Sequence, residues 1–378
     1  MRNKEGVILT TSKDIIQRII SPQIRALSAY SVASAEGYIK LDAMENPYQW
    51  SSDLRDVWLQ RLHDAPINRY PDPSAKNLMK QLAAVMAVPD GMSLVLGNGS
   101  DELIQMLIMA VAGQGAVMSP EPGFVMYKML ATMLDVEYIG VPLQDDDFQL
   151  DMSAMLAAIK QHQPALIFLA YPNNPTGNLY HEGDIEQIIQ QAPGLVVIDE
   201  AYAAFTEHSY MSRLGQYNNV LVMRTVSKMG LAGLRLGLLA GAPEWIQEIN
   251  KIRLPYNINV LTQISAEFAL EHHQVLDQQT AMIRNDRAGL FEQLGDLPGL
   301  HAFPSEANFI LLRVPQSAAD KIHQALRDEH KILIKNLHGS HPLLQDCLRV
   351  TVGTVDENKA FVQALKMVLV RNTHPTPS

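Results

Sequence analysis

Asp184-Ile-Glu-Gln-Ile-Ile-Gln-Gln191, followed by Leu195-Val-Val-Ile198 and then Asp199-Glu-Ala-Tyr202, holds the architecture of this chain in miniature. The first segment places its isoleucines at helical intervals and leaves the rest polar, which is the pattern of an amphipathic helix. The second is apolar without a polar face, the pattern of a strand buried on both sides. Comparable apolar runs occupy 93–96, 115–118, 165–170, 220–223 and 236–240, and 101–111 forms another amphipathic segment among them. Buried strands alternating with covering helices predict an α/β fold whose large domain has a mainly parallel sheet.

That domain is expected over residues 65–285. Length argues for a second one, because a single core seldom keeps growing in a chain of 378 residues. Residues 1–64 are read as an N-terminal arm plus part of a smaller α+β domain, and 286–378 as its remainder, with strand candidates at 309–314 and 348–352. The tail Asn372-Thr-His-Pro-Thr-Pro-Ser378 lacks an apolar anchor and is expected to be disordered.

A 47% hydrophobic share with 19% charged residues fits a soluble globular protein. The formal net charge of −10 disfavours nucleic acid as a partner, since phosphate backbones are met by excess Lys and Arg. Any bound anion must therefore be held by local cations. Cys347 is the sole cysteine, which excludes an intrachain disulfide. Met1-Arg-Asn-Lys-Glu-Gly6 does not lead into the apolar segment of a signal peptide, and no stretch has the length of a membrane span, so a cytoplasmic location is expected. No metal-ligand set stands out.

Motifs fall at the carboxyl ends of the predicted strands, where open parallel sheets bind ligands. Gly97-Asn-Gly-Ser-Asp-Glu102 opens a helix, and the N–H groups of Ser100 and Asp101 suit a phosphate; a simple glycine turn with a helix cap explains the same residues. The segment lacks both the third glycine of a dinucleotide fingerprint and the Gly-Lys-Ser/Thr of a P-loop. Asp199 ends an apolar run, where a carboxylate needs a partner. A protonated pyridine nitrogen would supply one, as would a cap or salt bridge. Asn174, within Asn173-Asn-Pro-Thr-Gly177, and Tyr202 are donors suited to a phenolic oxygen. Lys228 lies in Arg224-Thr-Val-Ser-Lys-Met-Gly-Leu-Ala-Gly-Leu-Arg235, flanked by Thr225, Ser227 and Arg235, three donors suited to one phosphate. An amine, an acid, ring-oxygen donors and a phosphate cradle are what pyridoxal 5'-phosphate requires, and their joint order is more specific than any one part.

With these motifs in place, the chain resembles the fold-type I pyridoxal-phosphate aminotransferases, and among them the histidinol-phosphate aminotransferase family. The likeness runs from Ile24-Arg-Ala-Leu-Ser-Ala-Tyr30 to Leu348-Arg-Val-Thr-Val-Gly-Thr354, through Leu41-Asp-Ala-Met-Glu-Asn-Pro-Tyr48 and Asn68-Arg-Tyr-Pro-Asp-Pro73. It implies Lys228 as the lysine bonded to the cofactor, Asp199 as partner of the pyridine nitrogen, Asn174 and Tyr202 at the ring oxygen, and Ser100, Asp101, Ser227 and Arg235 at the phosphate. Phe124 stands where the family commonly stacks a tyrosine on the ring, and a phenyl face still stacks. Tyr70 would reach the cofactor phosphate of a neighbouring subunit, implying a homodimer.

The resemblance also implies transfer of an amino group from L-histidinol phosphate to 2-oxoglutarate. Arg349 would pair with the substrate anion, Lys335 would add a second cation where the family often has arginine, and Tyr30 and Tyr256 would add hydroxyls. Other readings of the same residues pair Arg349 with Asp346 or Glu357 and leave Lys335 closing a strand. An aromatic or broad-specificity aminotransferase, or a decarboxylase of a phosphorylated amino acid, would need the same cofactor set.

Overall fold

The computed structural model describes residues 11–29 and 35–373. Seven strands form the large sheet, in the spatial order Ser93–Gly97, Gly237–Gly241, Val220–Thr225, Leu195–Asp199, Leu166–Ala170, Val117–Glu121 and Tyr138–Pro142. Gly237–Gly241 runs antiparallel to both neighbours and every other pairing is parallel, so the mainly parallel sheet predicted from the sequence is present.

Period-two alternation divides each central strand between two cores. Leu195 and Val197 face one apolar cluster with Leu166, Phe168, Leu221, Met223 and Leu239, while Val196 and Ile198 face another with Ile167, Leu169, Val220, Val222 and Leu238. Covering helices close both faces. The helix Gly99–Val111 buries Leu103, Ile104, Met106, Leu107 and Ile108 on the first, and Glu182–Gln191 buries Ile185, Ile188 and Ile189 on the second. Each fully buried isoleucine contributes about 1.5–3 kcal/mol. Pro193 follows the latter helix, which ends at Gln191, because proline cannot continue the hydrogen-bond ladder.

A third core gathers residues from both ends of the chain. The antiparallel sheet of Lys335–Asn336, Cys347–Thr351, Phe309–Arg313 and His301–Ala302 supplies Phe309, Ile310, Leu312, Leu348 and Val350. Ile39–Lys40 pairs in parallel with Ile332–Leu333, and Leu41 enters the same core. The N–H of Leu41 donates to Leu333 and its carbonyl accepts from Thr351, fixing the segment that leads towards Ala43 and Met44. The 23-residue helix His273–Gly295 joins the two regions, placing Leu276 in the large core and Ile283, Leu290 and Leu294 in the small one.

The strand Tyr138–Pro142 is absent from the sequence reading. It forms one edge of the sheet, is only partly buried, and carries Gly140 and Pro142, so it lacks the apolar run that marks its neighbours. The run read at 115–118 is displaced towards the chain end, because Gly115 and Ala116 precede the strand Val117–Glu121. Among the described residues no helix is long and apolar enough to cross a membrane.

Candidate active site

Six strands of the large sheet run in one direction and deliver their carboxyl ends to one edge, and the motif residues meet there. Met44, Ser100, Asp101, Phe124, Pro172, Asn174, Asp199, Tyr202, Thr225, Ser227, Lys228 and Arg235 line a single cavity. Strand Leu195–Asp199 projects its last residue into that cavity at 4% exposure. Asp199 Oδ2 accepts from the Tyr127 hydroxyl at 2.6 Å and Oδ1 accepts from the Ala201 N–H at 3.1 Å. Burial nevertheless raises the carboxyl to about 6, because the two donors offset only part of the desolvation.

Lys228 follows the strand Val220–Thr225 through a short 3-10 turn. Its Nζ donates to the Ala43 carbonyl at 3.4 Å and lies 5.8 Å from the centre of the Tyr202 ring. Burial first, and then the positive charge of Arg349, lower its ammonium to about 8. A lysine in that range keeps a useful neutral fraction near physiological pH and can act as nucleophile and base.

Arg349, Asn174 and Tyr202 form one hydrogen-bonded row. Arg349 Nη1 donates to the side-chain oxygen Oδ1 of Asn174, Asn174 Nδ2 donates to the Tyr202 hydroxyl at 3.0 Å, and Arg349 Nη2 donates to the backbone carbonyl of Asp42 at 3.1 Å. Since the Tyr202 oxygen already accepts from Asn174, its own proton is available to a ring oxygen in the cavity. Arg349 is buried, rests over the Phe309 ring and donates to Asn174 and Asp42. Glu357 accepts from Thr354.

The opposite end of the cavity is shaped for an oxyanion. No side chain caps the helix Gly99–Val111, whose first turn includes Ser100 and Asp101. Gly99 has φ +78°, and a Cβ there would lie 2.6 Å from the Arg235 guanidinium; at Gly237 a Cβ would lie 2.7 Å from the Gly99 backbone. Two glycines thus let Arg235 and the helix start close on the same space. Thr225 Oγ1 donates to Ser227 Oγ at 2.9 Å, orienting that hydroxyl. Asp101 needs a finer reading: its carboxylate pairs with Arg235 at 3.1 Å, which leaves its N–H as the group suited to an anion. The donor set fits a phosphorylated pyridine aldehyde, with an acid, a hydroxyl, an amine and an anion cradle around one cavity.

Other sequence-derived residues lie away from this cavity or at its margin. Lys335 is exposed and sits directly opposite Arg349 in antiparallel register, which places both side chains on one face of the small sheet. Tyr70 is 80% exposed and stacks on Tyr256 with ring centres 4.5 Å apart, so these tyrosines project together rather than into their own chain's cavity. Tyr30 lies outside the described residues. Tyr127 went unassigned in the sequence reading although it falls within Pro122-Gly-Phe-Val-Met-Tyr127; only tertiary packing, with Tyr127 stacked on Phe168 at 4.5 Å, reveals that it faces Asp199.

Comparison with known proteins agrees with this geometry. The family model for aminotransferase class I and II matches residues 36–365. Histidinol-phosphate aminotransferase 2 of Nitrosococcus oceani is 55% identical over 94% of this chain and 98% of the relative. Its counterpart of the same name in Cupriavidus pinatubonensis is 52% identical over 93% and 96% respectively. Among solved structures, histidinol-phosphate aminotransferase from Sinorhizobium meliloti in complex with pyridoxal-5'-phosphate superposes with a TM-score of 0.82 at 25% identity, covering 94% of this chain and 98% of that one.

Proposed function

The chain belongs to the class I and II aminotransferase family, and we propose that it transfers the amino group of L-histidinol phosphate to 2-oxoglutarate, giving imidazole acetol phosphate and L-glutamate. Pyridoxal 5'-phosphate is the cofactor, and when bound it supplies an electron sink for the carbon that carries the amino group. The observation that carries the reading is the meeting of Lys228, Asp199, Tyr202 and the Arg349-oriented Asn174 around one cavity.

Lys228 would hold the cofactor through its aldehyde. In its neutral form the Lys228 amine would accept and return the proton at the carbon that carries the amino group. Asp199 would hold the pyridine nitrogen in its charged form. Tyr202 and Asn174 would hold the ring oxygen, Phe124 would pack against the ring, and Ser100, Ser227, Arg235 and the Asp101 N–H would hold the phosphate.

The amino donor has a phosphate and no carboxylate, whereas glutamate has two carboxylates. Arg349 presents a buried fork that serves either anion. Lys335, opposite it on the same face, adds the second positive charge that a phosphate favours. Tyr70, with Tyr256 stacked beside it, serves the cofactor phosphate of a second subunit, so the working form is a homodimer. Residues 65–285 form the cofactor-binding domain, 1–64 and 286–378 supply the arm and small domain, and the enzyme works in the cytoplasm.

A panel of amino donors scored by transfer to 2-oxoglutarate tests the proposal. L-Histidinol phosphate should give the highest kcat/KM. Preference for phenylalanine would reject the substrate, and carbon dioxide release without a keto acid would reject the reaction.

A further inference from the structure

Tyr127 is buried at 1% exposure, stacked on Phe168 with ring planes 2° apart and edged by Phe124, so its ring has one accessible orientation. That orientation brings its hydroxyl to 2.6 Å from Asp199 Oδ2. The Ala201 N–H occupies the other carboxylate oxygen, and together the two donors fix the plane of the carboxylate. Both oxygens retain acceptor capacity for a further proton-bearing group in the cavity.

We infer that Tyr127 is a positioning residue, whose hydroxyl keeps Asp199 ionised and aimed so that the carboxylate holds the pyridine nitrogen of the cofactor in its charged form. The inference rests on the proposed use of pyridoxal phosphate and adds to it a residue that never touches the cofactor's reacting atoms. A neutral carboxylic acid would pair with an unprotonated nitrogen, and the electron sink would be lost. Burial drives Asp199 towards that neutral state, and two acidic neighbours oppose ionisation further: Asp101 and Glu200 both raise it, although Glu200 is itself paired with Arg224. Tyr127 is the first contribution in the other direction, followed by the Ala201 N–H. Tyr138 and Tyr180 act electrostatically on Tyr127, and Tyr202 lines the same cavity as Asp199; burial raises all three phenols, so none supplies a competing charge near neutrality.

The test is Tyr127→Phe, which keeps the ring stack and removes the donor. Affinity for pyridoxal phosphate, followed by the absorbance of the bound chromophore across pH, should fall roughly tenfold near neutrality, as expected for a lost charge-assisted hydrogen bond. The lower limb of the binding profile, near pH 6 in the parent where Asp199 ionises, should move upward by about one unit, since binding needs the carboxylate and the phenyl ring no longer favours it. An analogue with carbon in place of the pyridine nitrogen should bind parent and variant equally, because Asp199 then has no proton to hold. An unchanged limb, or an equal loss with the analogue, would overturn the inference. Should the variant fail to fold, 3-fluorotyrosine at position 127 donates more strongly and should move the limb downward; no movement would overturn it. Failure of the parent protein itself to bind pyridoxal phosphate would instead refute the cofactor assignment.

Discussion

Replacing Asp199 by Asn should stabilise the cofactor-free protein while weakening its hold on the cofactor, and the two effects have opposite signs for one reason. The carboxyl is buried and its pKa stands at about 6 against an ordinary 3.8. A carboxyl raised in the folded state contributes stability while protonated; that contribution is complete below about pH 4 and is lost as pH rises through about 6. Two units correspond to ~3 kcal/mol at ~1.4 kcal/mol per unit. Asparagine is nearly isosteric, keeps an acceptor for one of the two donors, and does not ionise. Cofactor-free parent and variant should therefore melt alike near pH 4, and by about pH 7 the variant should lead by ~3 kcal/mol, on the order of 5 °C. Thermal unfolding across that range measures the gap. With pyridoxal phosphate added at about pH 7 the order should reverse, because only the carboxylate neutralises a pyridinium. A variant destabilised by several kcal/mol without cofactor would show that Asp199 holds the fold together, and the reasoning would fail.

Lys335→Ala should lower kcat/KM for histidinol phosphate roughly tenfold through the loss of one charge-assisted contact and leave glutamate within about twofold; equal losses in the two half-reactions would reject Lys335 as a phosphate ligand. Gly99→Ala should cost about tenfold or more in pyridoxal phosphate affinity, since its Cβ would meet Arg235 at 2.6 Å. Gly113→Ala, with the same φ of +78° but nothing within 4 Å, separates backbone strain from that contact, and equal affinities in the two variants would refute the cradle. Co-expressed Lys228→Ala and Tyr70→Phe chains, each inactive alone, should recover about one quarter of parental activity if sites are shared, because half of the dimers are mixed and each has one intact site. No recovery in the mixture would place Tyr70 outside the neighbouring site.

Much of this architecture is legible in the chain because buried parallel strands carry uninterrupted apolar runs such as Leu195-Val-Val-Ile198, and because each chemical motif follows such a run. Strand direction is less visible. Gly237–Gly241 is as apolar as its parallel neighbours, yet it runs antiparallel to both. Tyr138–Pro142 escapes notice because an edge strand need bury only part of its surface. Within the site, Lys228, Asp199 and Asn174 stand out by motif, whereas the contacts that tune them do not: Tyr127 lies 72 positions from Asp199, and Arg349 lies 175 from Asn174. The stacking of Tyr256 on Tyr70 and the pairing of Asp101 with Arg235 likewise depend on the folded chain.

In the proposed reaction one lysine, Lys228, carries the cofactor. Borohydride reduction of the purified protein loaded with pyridoxal phosphate, followed by peptide mass mapping, tests it directly. The pyridoxyl group should appear on the peptide containing Lys228 and at stoichiometry near one per chain; its appearance on another lysine, or on none, would contradict the account.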